Sequence, residues 1–129
     1  MRLFHQMVFD GYVSGTADVF TDSSHDALLG MADQLSISGY TAQVTGTTPT
    51  ITVRVENSFD QRRWQNRNTT AEVNAVTLST SQETTFQGQD GNPVTRPTLA
   101  FGRLKITLGG TTPNGQVRIW VTGRDRGEG

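Results

Sequence analysis

The chain contains no cysteine. Disulfide bonds, thiolate metal sites and a catalytic thiol are excluded, and oxidising and reducing compartments suit it equally. Long apolar runs are also missing: no window approaches the roughly 20 apolar residues required to span a bilayer. The opening segment Met1-Arg2-Leu3-Phe4-His5-Gln6-Met7 lacks the extended apolar core of a secretory signal. The sequence therefore predicts a soluble protein, made in the cytoplasm, with no membrane partner. Histidine is scarce. His5 and His25 are the two side chains able to act as neutral-pH bases, and neither stands in a nucleophile setting such as Gly-x-Ser-x-Gly. His25 with Asp22 and Asp26 matches no zinc or calcium loop spacing. Paired carboxylates facing across a cleft would suit glycoside hydrolysis, but sequence does not fix their separation. No catalytic residue, cofactor or metal is expected.

What is present is glycine, threonine and β-branched residues in short alternating runs. At 129 residues the chain fits one domain, large enough to bury about two thirds of its unfolded surface. Two stretches share a spelling: Gly46-Thr47-Thr48-Pro49 before Ile51-Thr52-Val53-Arg54-Val55, and Gly110-Thr111-Thr112-Pro113 before Val117-Arg118-Ile119-Trp120-Val121. Glycine supplies backbone angles closed to other residues, proline removes a ladder donor, and the following runs alternate at the two-residue strand period. Each stretch predicts a turn between two strands, and two hairpins with apolar faces can bury them against each other.

Further strands are expected around Tyr12–Phe20, Val73–Leu78, Thr84–Phe86 and Leu99–Leu108, with Thr21–Met31 either a short helix capped by Asp22-Ser23-Ser24 or an irregular connection. Residues 87–97, with Gly88, Asp90-Gly91-Asn92-Pro93 and Pro97, read as a loop. The reading is an all-β, single-domain antiparallel sandwich, jelly-roll-like or Ig-like, of about seven or eight strands over residues 1–129. The ends near 1–7 and 123–129 are expected to be mobile or ordered by a partner.

Charge is close to balanced, at a formal net of -1, but segregated. Between Leu3 and Val53 every formal charge is acidic, and ten of the eleven cations are arginine. Arginine's planar fork is favoured where charges become buried between partners, so head-to-tail contacts between copies are one implication and a plain solvated surface the other. Phe59, Arg62, Arg63, Trp64 and Arg67 interleave rings with cations as single-strand nucleic-acid sites do. The near-neutral net charge argues against such a partner. Tyr12, Tyr40, Trp64 and Trp120 are candidates for stacking on sugar rings. Val117, Ile119 and Val121 share one strand face, which puts Trp120 on the other, beside Arg118 and Thr122, exposed or covered by another subunit. Trp120 and Arg118 lead the interface candidates, followed by Arg103, Trp64, Arg62 and Arg63.

The segment Ser58-Phe59-Asp60-Gln61-Arg62-Arg63-Trp64 resembles the Asp-box turn of sialidase-like folds, Ser-x-Asp-x-Gly-x-Thr-Trp. It lacks the glycine and one residue of spacing, so no activity is carried over. Taken together, Val44 to Asp60, Trp64, and Gly102-Arg103-Leu104-Lys105-Ile106-Thr107-Leu108-Gly109-Gly110-Thr111 resemble small β-sandwich structural proteins of bacteriophages and phage-derived particles, over roughly residues 44 to 122. That resemblance implies a virion subunit of the shell, decoration or tail, located in the virion and made in the host cytoplasm. It would act by assembling with copies of itself and other virion structural proteins, without catalysis. The alternative is a carbohydrate-binding or adhesive module.

Overall fold

A computed structural model describes residues 3–90 and 99–125. Among the described residues seven strands occur in chain order: β1 (Leu3–Ser14), β2 (Val19–Phe20), β3 (Ala32–Ser58), β4 (Gln65–Asn66), β5 (Val73–Thr77), β6 (Thr84–Gln89) and β7 (Phe101–Asp125). Between β2 and β3 lie a 3-10 turn, Ser23–His25, and one short helix, α1 (Asp26–Met31). Every strand pairing is antiparallel.

Two strands are long enough to serve both layers of a sandwich. β3 has 27 residues and β7 has 25, and they pair with each other along most of their length. The early half of β3 pairs with β6 on its other side, and the late half of β7 pairs with β1. The late half of β3 pairs with β5 and β4, and the early half of β7 with β2. The first layer is thus β1, late β7, early β3, β6, and the second is β2, early β7, late β3, β5 with β4. This is the strand order of a double-sheet jelly roll, hydrogen-bonded as one sheet folded over on itself.

The fold-over happens at the repeated Gly-Thr-Thr-Pro segments, and here the expectation of two hairpins is corrected. Neither segment turns a hairpin. Each is the bend of a long strand, and the two bends face each other: Thr45 pairs with Asn114, Thr47 with Thr111 and Thr50 with Gly109, with the register slipping at each step. Their conformations match. Gly46 and Gly110 take φ of 120° and 102°, and Thr48 and Thr112 both take φ of 47°. A β-branched residue at that angle is strained; each threonine hydroxyl donates to the preceding carbonyl, Thr47 O and Thr111 O, at 2.8 Å. The proline carbonyls accept in parallel fashion, Pro113 O from Gly15 N at 2.8 Å and Pro49 O from Leu78 N at 2.9 Å. The sequence repeats itself because a local two-fold relates the two crossings.

Between the layers, alternation packs one core: Leu35, Ile37, Val117, Ile119 and Val121 from the first against Ile51, Val53, Val55, Leu104, Ile106 and Leu108 from the second, joined by Val13, Val73 and Phe86. Gly30, which weakens a helical reading of its segment, is required in α1. A Cβ there would lie 2.1 Å from the carbonyl oxygen of Ala100, so only glycine lets the helix, with buried Leu29, lie this close to the chain entering β7.

Several boundaries differ from expectation. The first strand begins at Leu3 and stops at Ser14, ahead of Gly15 at φ 82°. Residues 3–7 and 123–125, expected as loose ends, form ladder pairs, with Leu3 opposite Arg124 and Phe4 opposite Gly123. The region read as a loop from Gln87 opens as the end of β6, and its remainder, 91–98, lies outside the described residues, as do 126–129 of the tail.

Candidate functional site

On the outer face of the first layer, register sets the neighbours. Trp120 of β7 stands between Met7 of β1 and Ser38 of β3, and Arg118 stands between Asp10 and Tyr40. Trp120 is half-buried, as alternation predicts for a residue opposite the core, because its ring lies along Tyr40 with centroids 6.0 Å apart and planes 16° from parallel. Arg118 ties the row together: Nε donates to Asp10 Oδ1 at 3.0 Å and Nη1 to Tyr40 Oη at 2.6 Å. These two bonds, Asp10's first, raise the guanidinium pKa above its ordinary value. Gln116 adds a second donor to Asp10 at 2.9 Å. Beyond Tyr40 the face is a comb of small polar groups, Ser36 and Ser38 on β3 opposite Gln89 and Gln87 on β6. It forms two adjoining open grooves of about 520 and 490 Å³. An aromatic pair flanked by hydroxyls, amides and a clamped ion pair can hold a ligand or a second protein.

On the outer face of the second layer two of the interface candidates pack against each other. The Arg103 guanidinium lies between two rings, 3.8 Å from the Phe20 centroid and 4.2 Å from that of Trp64, while Nε donates to Glu56 Oε1 at 2.8 Å. Arg103 and Trp64 therefore close an edge of their own sheet. Arg62 and Arg63 are exposed, as expected, on the turn that carries the Asp-box resemblance. Asp60 caps that turn: its carboxylate accepts from the backbone N–H groups of Arg63 and Arg62 at 2.8 and 3.0 Å and from the Arg63 guanidinium. Those backbone donors hold its pKa down to about 2. The Asp60–Arg63 pair is spent on the turn itself.

Arg67 is the largest departure. Grouped in the sequence with the ring-and-cation run, it is fully buried and unavailable to nucleic acid. Nη2 donates to Ala32 O at 3.0 Å and pairs with Asp90 Oδ2 at 3.2 Å. Asp90 also accepts from Leu35 N at 2.9 Å and Asn68 Nδ2 at 3.1 Å, and Asn68 reaches Glu72 Oε2 at 2.7 Å. Glu72 in turn accepts from Val55 N at 2.9 Å; burial raises its pKa above the usual carboxylate value. This buried chain ties early β3 to late β3 across the two layers. Its only sequence signal is an Arg-Asn pair between two strands, which carries no information about burial.

The His25, Asp22 and Asp26 group is dispersed by its own hydrogen bonds. Asp22 caps the 3-10 turn through Ser24 N at 3.0 Å, and hydrogen bonding from the Ser24 side chain and then its backbone lowers its pKa. His25 Nδ1 meets Gln6 Nε2 at 3.4 Å, and buried Asp26 accepts from Gln61 at 3.0 Å. His5 meets the Thr122 hydroxyl at 2.6 Å. Among the described residues no three His, Cys, Asp or Glu side chains converge as metal ligands, and no helix is long and apolar enough to cross a membrane.

No protein-family model matches the sequence, and no curated protein is significantly similar to it. Solved structures share the fold. A structure of infectious bursal disease virus, Gx strain, superposes with a TM-score of 0.55 at 17% identity, covering 94% of this chain and 32% of that one. The first xylan-binding CBM22 domain of Xyn10C from Paenibacillus barcinonensis gives 0.54 at 14% identity, covering 96% of this chain and 87% of the domain. The second CBM22 domain of the same protein gives 0.54 at 12%, covering 93% and 91%. The chain spans about a third of the virus-particle chain and most of each xylan-binding domain. At these identities the shared property is the β-sandwich itself, a fold that serves particle assembly in one set and sugar binding in the other.

Proposed function

We propose that the protein is a non-enzymatic structural subunit of a phage or phage-like particle, of the shell, decoration or tail, that works by binding copies of itself and other virion proteins. The observation that carries this reading is β1. It is a twelve-residue strand at the end of its sheet, paired on one side only among the described residues. Natural edges of this length are usually shortened, bulged or charged to prevent pairing with other chains. β1 carries one bulge, at Val8, no lysine and no proline, and it exposes Leu3, Met7 and Tyr12 at 75, 42 and 59%. Met7 continues inward through Trp120 to Tyr40, giving an apolar strip that starts at the open edge. Such an edge adds a neighbour's strand through backbone bonds while the strip supplies burial.

Light scattering across a hundredfold concentration range, with negative-stain microscopy, tests it. Rings, shells or concentration-dependent oligomers are expected. Met7→Lys and Trp120→Ala should shift them toward monomer at little cost in melting temperature. A strictly monomeric chain that also ignores its virion partners refutes the reading. If Trp120→Ala lowers the melting temperature and leaves oligomer size unchanged, Trp120 is internal packing.

One observation favours a second reading. The Tyr40–Trp120 pair beside the Ser36, Ser38, Gln87 and Gln89 comb has the chemistry of a sugar-stacking platform, and the xylan-binding domains share the fold over most of their length. A glycan array separates the two: the assembly reading expects a blank, and the sugar reading expects a signal abolished by Trp120→Ala.

A further inference from the structure

The outer face of the second layer holds a depression of about 220 Å³ whose lining includes Thr50, Thr52 and Arg54 of β3 and Lys105, Thr107 and Gly109 of β7. Register puts these in rows: Arg54 faces Lys105, Thr52 faces Thr107, and Thr50 faces Gly109. Two neighbouring cations on one strand pair ordinarily repel, so the disposition of nearby carboxylates matters. Glu56 receives both Arg103, at 2.8 Å, and Lys105, at a looser 3.6 Å. Asp18, which also lines the depression, accepts from the Thr107 hydroxyl at 2.7 Å. Arg54 is half-buried and makes no ion pair among the described residues. Three cations against two carboxylates leave the group one positive charge, and Arg54 is the cation with no ion pair among the described residues.

Apart from the Asp18 carboxylate and the Thr107 hydroxyl bound to it, the remaining lining is hydroxyl and backbone. The Thr52 hydroxyl oxygen accepts from Ala75 N at 3.2 Å, which leaves its proton free to donate. Gly109 contributes no side chain; a Cβ there would lie 2.5 Å from the Thr50 hydroxyl oxygen, so the floor consists of that hydroxyl and bare backbone. From this we infer that the Arg54–Lys105 depression is a binding site for an oxyanion, the phosphate or sulfate group of a ligand. Arg54 would engage it through its planar fork, Lys105 as a point charge and Thr50 and Thr52 as neutral donors. The site lies on the layer opposite the Trp120 strip, and the inference stands apart from the assembly reading.

Titration of the isotope-labelled chain with sodium phosphate and sodium sulfate at constant ionic strength, followed by amide NMR, tests it. Parallel arms use methyl phosphate and methyl sulfate to distinguish the two sources, with sodium chloride as control. Saturable shifts confined to residues 50–54 and 105–109 are expected, weakened fivefold or more in Arg54→Gln. Arg54→Lys, which keeps the charge and loses the fork, should fall between the two and guards against a folding defect in the glutamine variant. Non-saturating shifts, shifts equal to those in chloride, or an unchanged titration in well-folded Arg54→Gln would overturn the inference.

Discussion

Replacing Arg67 with alanine should be among the most damaging single changes in the molecule. Arg67 is 0% exposed, donates to Ala32 O at 3.0 Å and pairs with Asp90 at 3.2 Å. Asp90 remains after the substitution, still buried at 3% exposure, with Leu35 N–H and Asn68 as hydrogen-bond donors but without the guanidinium. Removing one partner of a buried ion pair typically costs about 3–5 kcal/mol, because the other charge stays desolvated. A domain of this size has about 5–15 kcal/mol of stability in total, so the variant should lose roughly a fifth or more of it. At roughly 3–5 °C per kcal/mol, between the values for smaller and larger domains, its melting temperature should drop by about 10–25 °C. Urea unfolding followed by tryptophan fluorescence measures the free energy directly. Arg67→Met combined with Asp90→Asn, which keeps an acceptor for Leu35 N–H, should recover a good part of the loss. A cost below about 1 kcal/mol for Arg67→Ala, with an unchanged denaturant slope, would refute a buried clamp between the layers.

Two further outcomes follow from local geometry. Gly110→Ala places a Cβ 2.6 Å from Thr48 O at φ 102°, so it should cost about 2–3 kcal/mol in thermal or urea unfolding. Gly46→Ala, with its closest contacts at 2.9 Å, should cost less. Asp60, held down to about 2 from 3.8, binds protons less readily folded than unfolded. Its contribution is therefore present above pH 3.8 and lost as pH falls toward about 2. Asp60→Asn should flatten that part of a melting-temperature profile. Glu72, with its folded pKa raised, acts with the opposite sign, its burial penalty relieved as pH falls through that raised value.

Much of the architecture was legible because strand alternation is local. Ile51, Val53 and Val55, and Leu104, Ile106 and Leu108, lie on the core side as their spacing demands. Trp120 stands opposite Ile119 and Val121 for the same reason. The cage around Arg103 was not legible because it is built from three distant segments, Phe20, Glu56 and Trp64. Arg67 was misjudged because a polar residue between strands looks alike whether it faces water or fills the gap between two layers.

By itself the sequence determined the all-β class, the inward faces of the strands and the places where the chain must bend, since period-two alternation and the angles open to glycine and proline operate within a few residues. Only the tertiary structure decided that the two Gly-Thr-Thr-Pro bends meet, making two strands of 27 and 25 residues shared by both layers instead of two hairpins. It likewise decided which charges are consumed internally and which remain on the surface. Those outcomes depend on contacts between residues tens of positions apart, which hydrogen-bond register and layer packing select and local sequence does not encode.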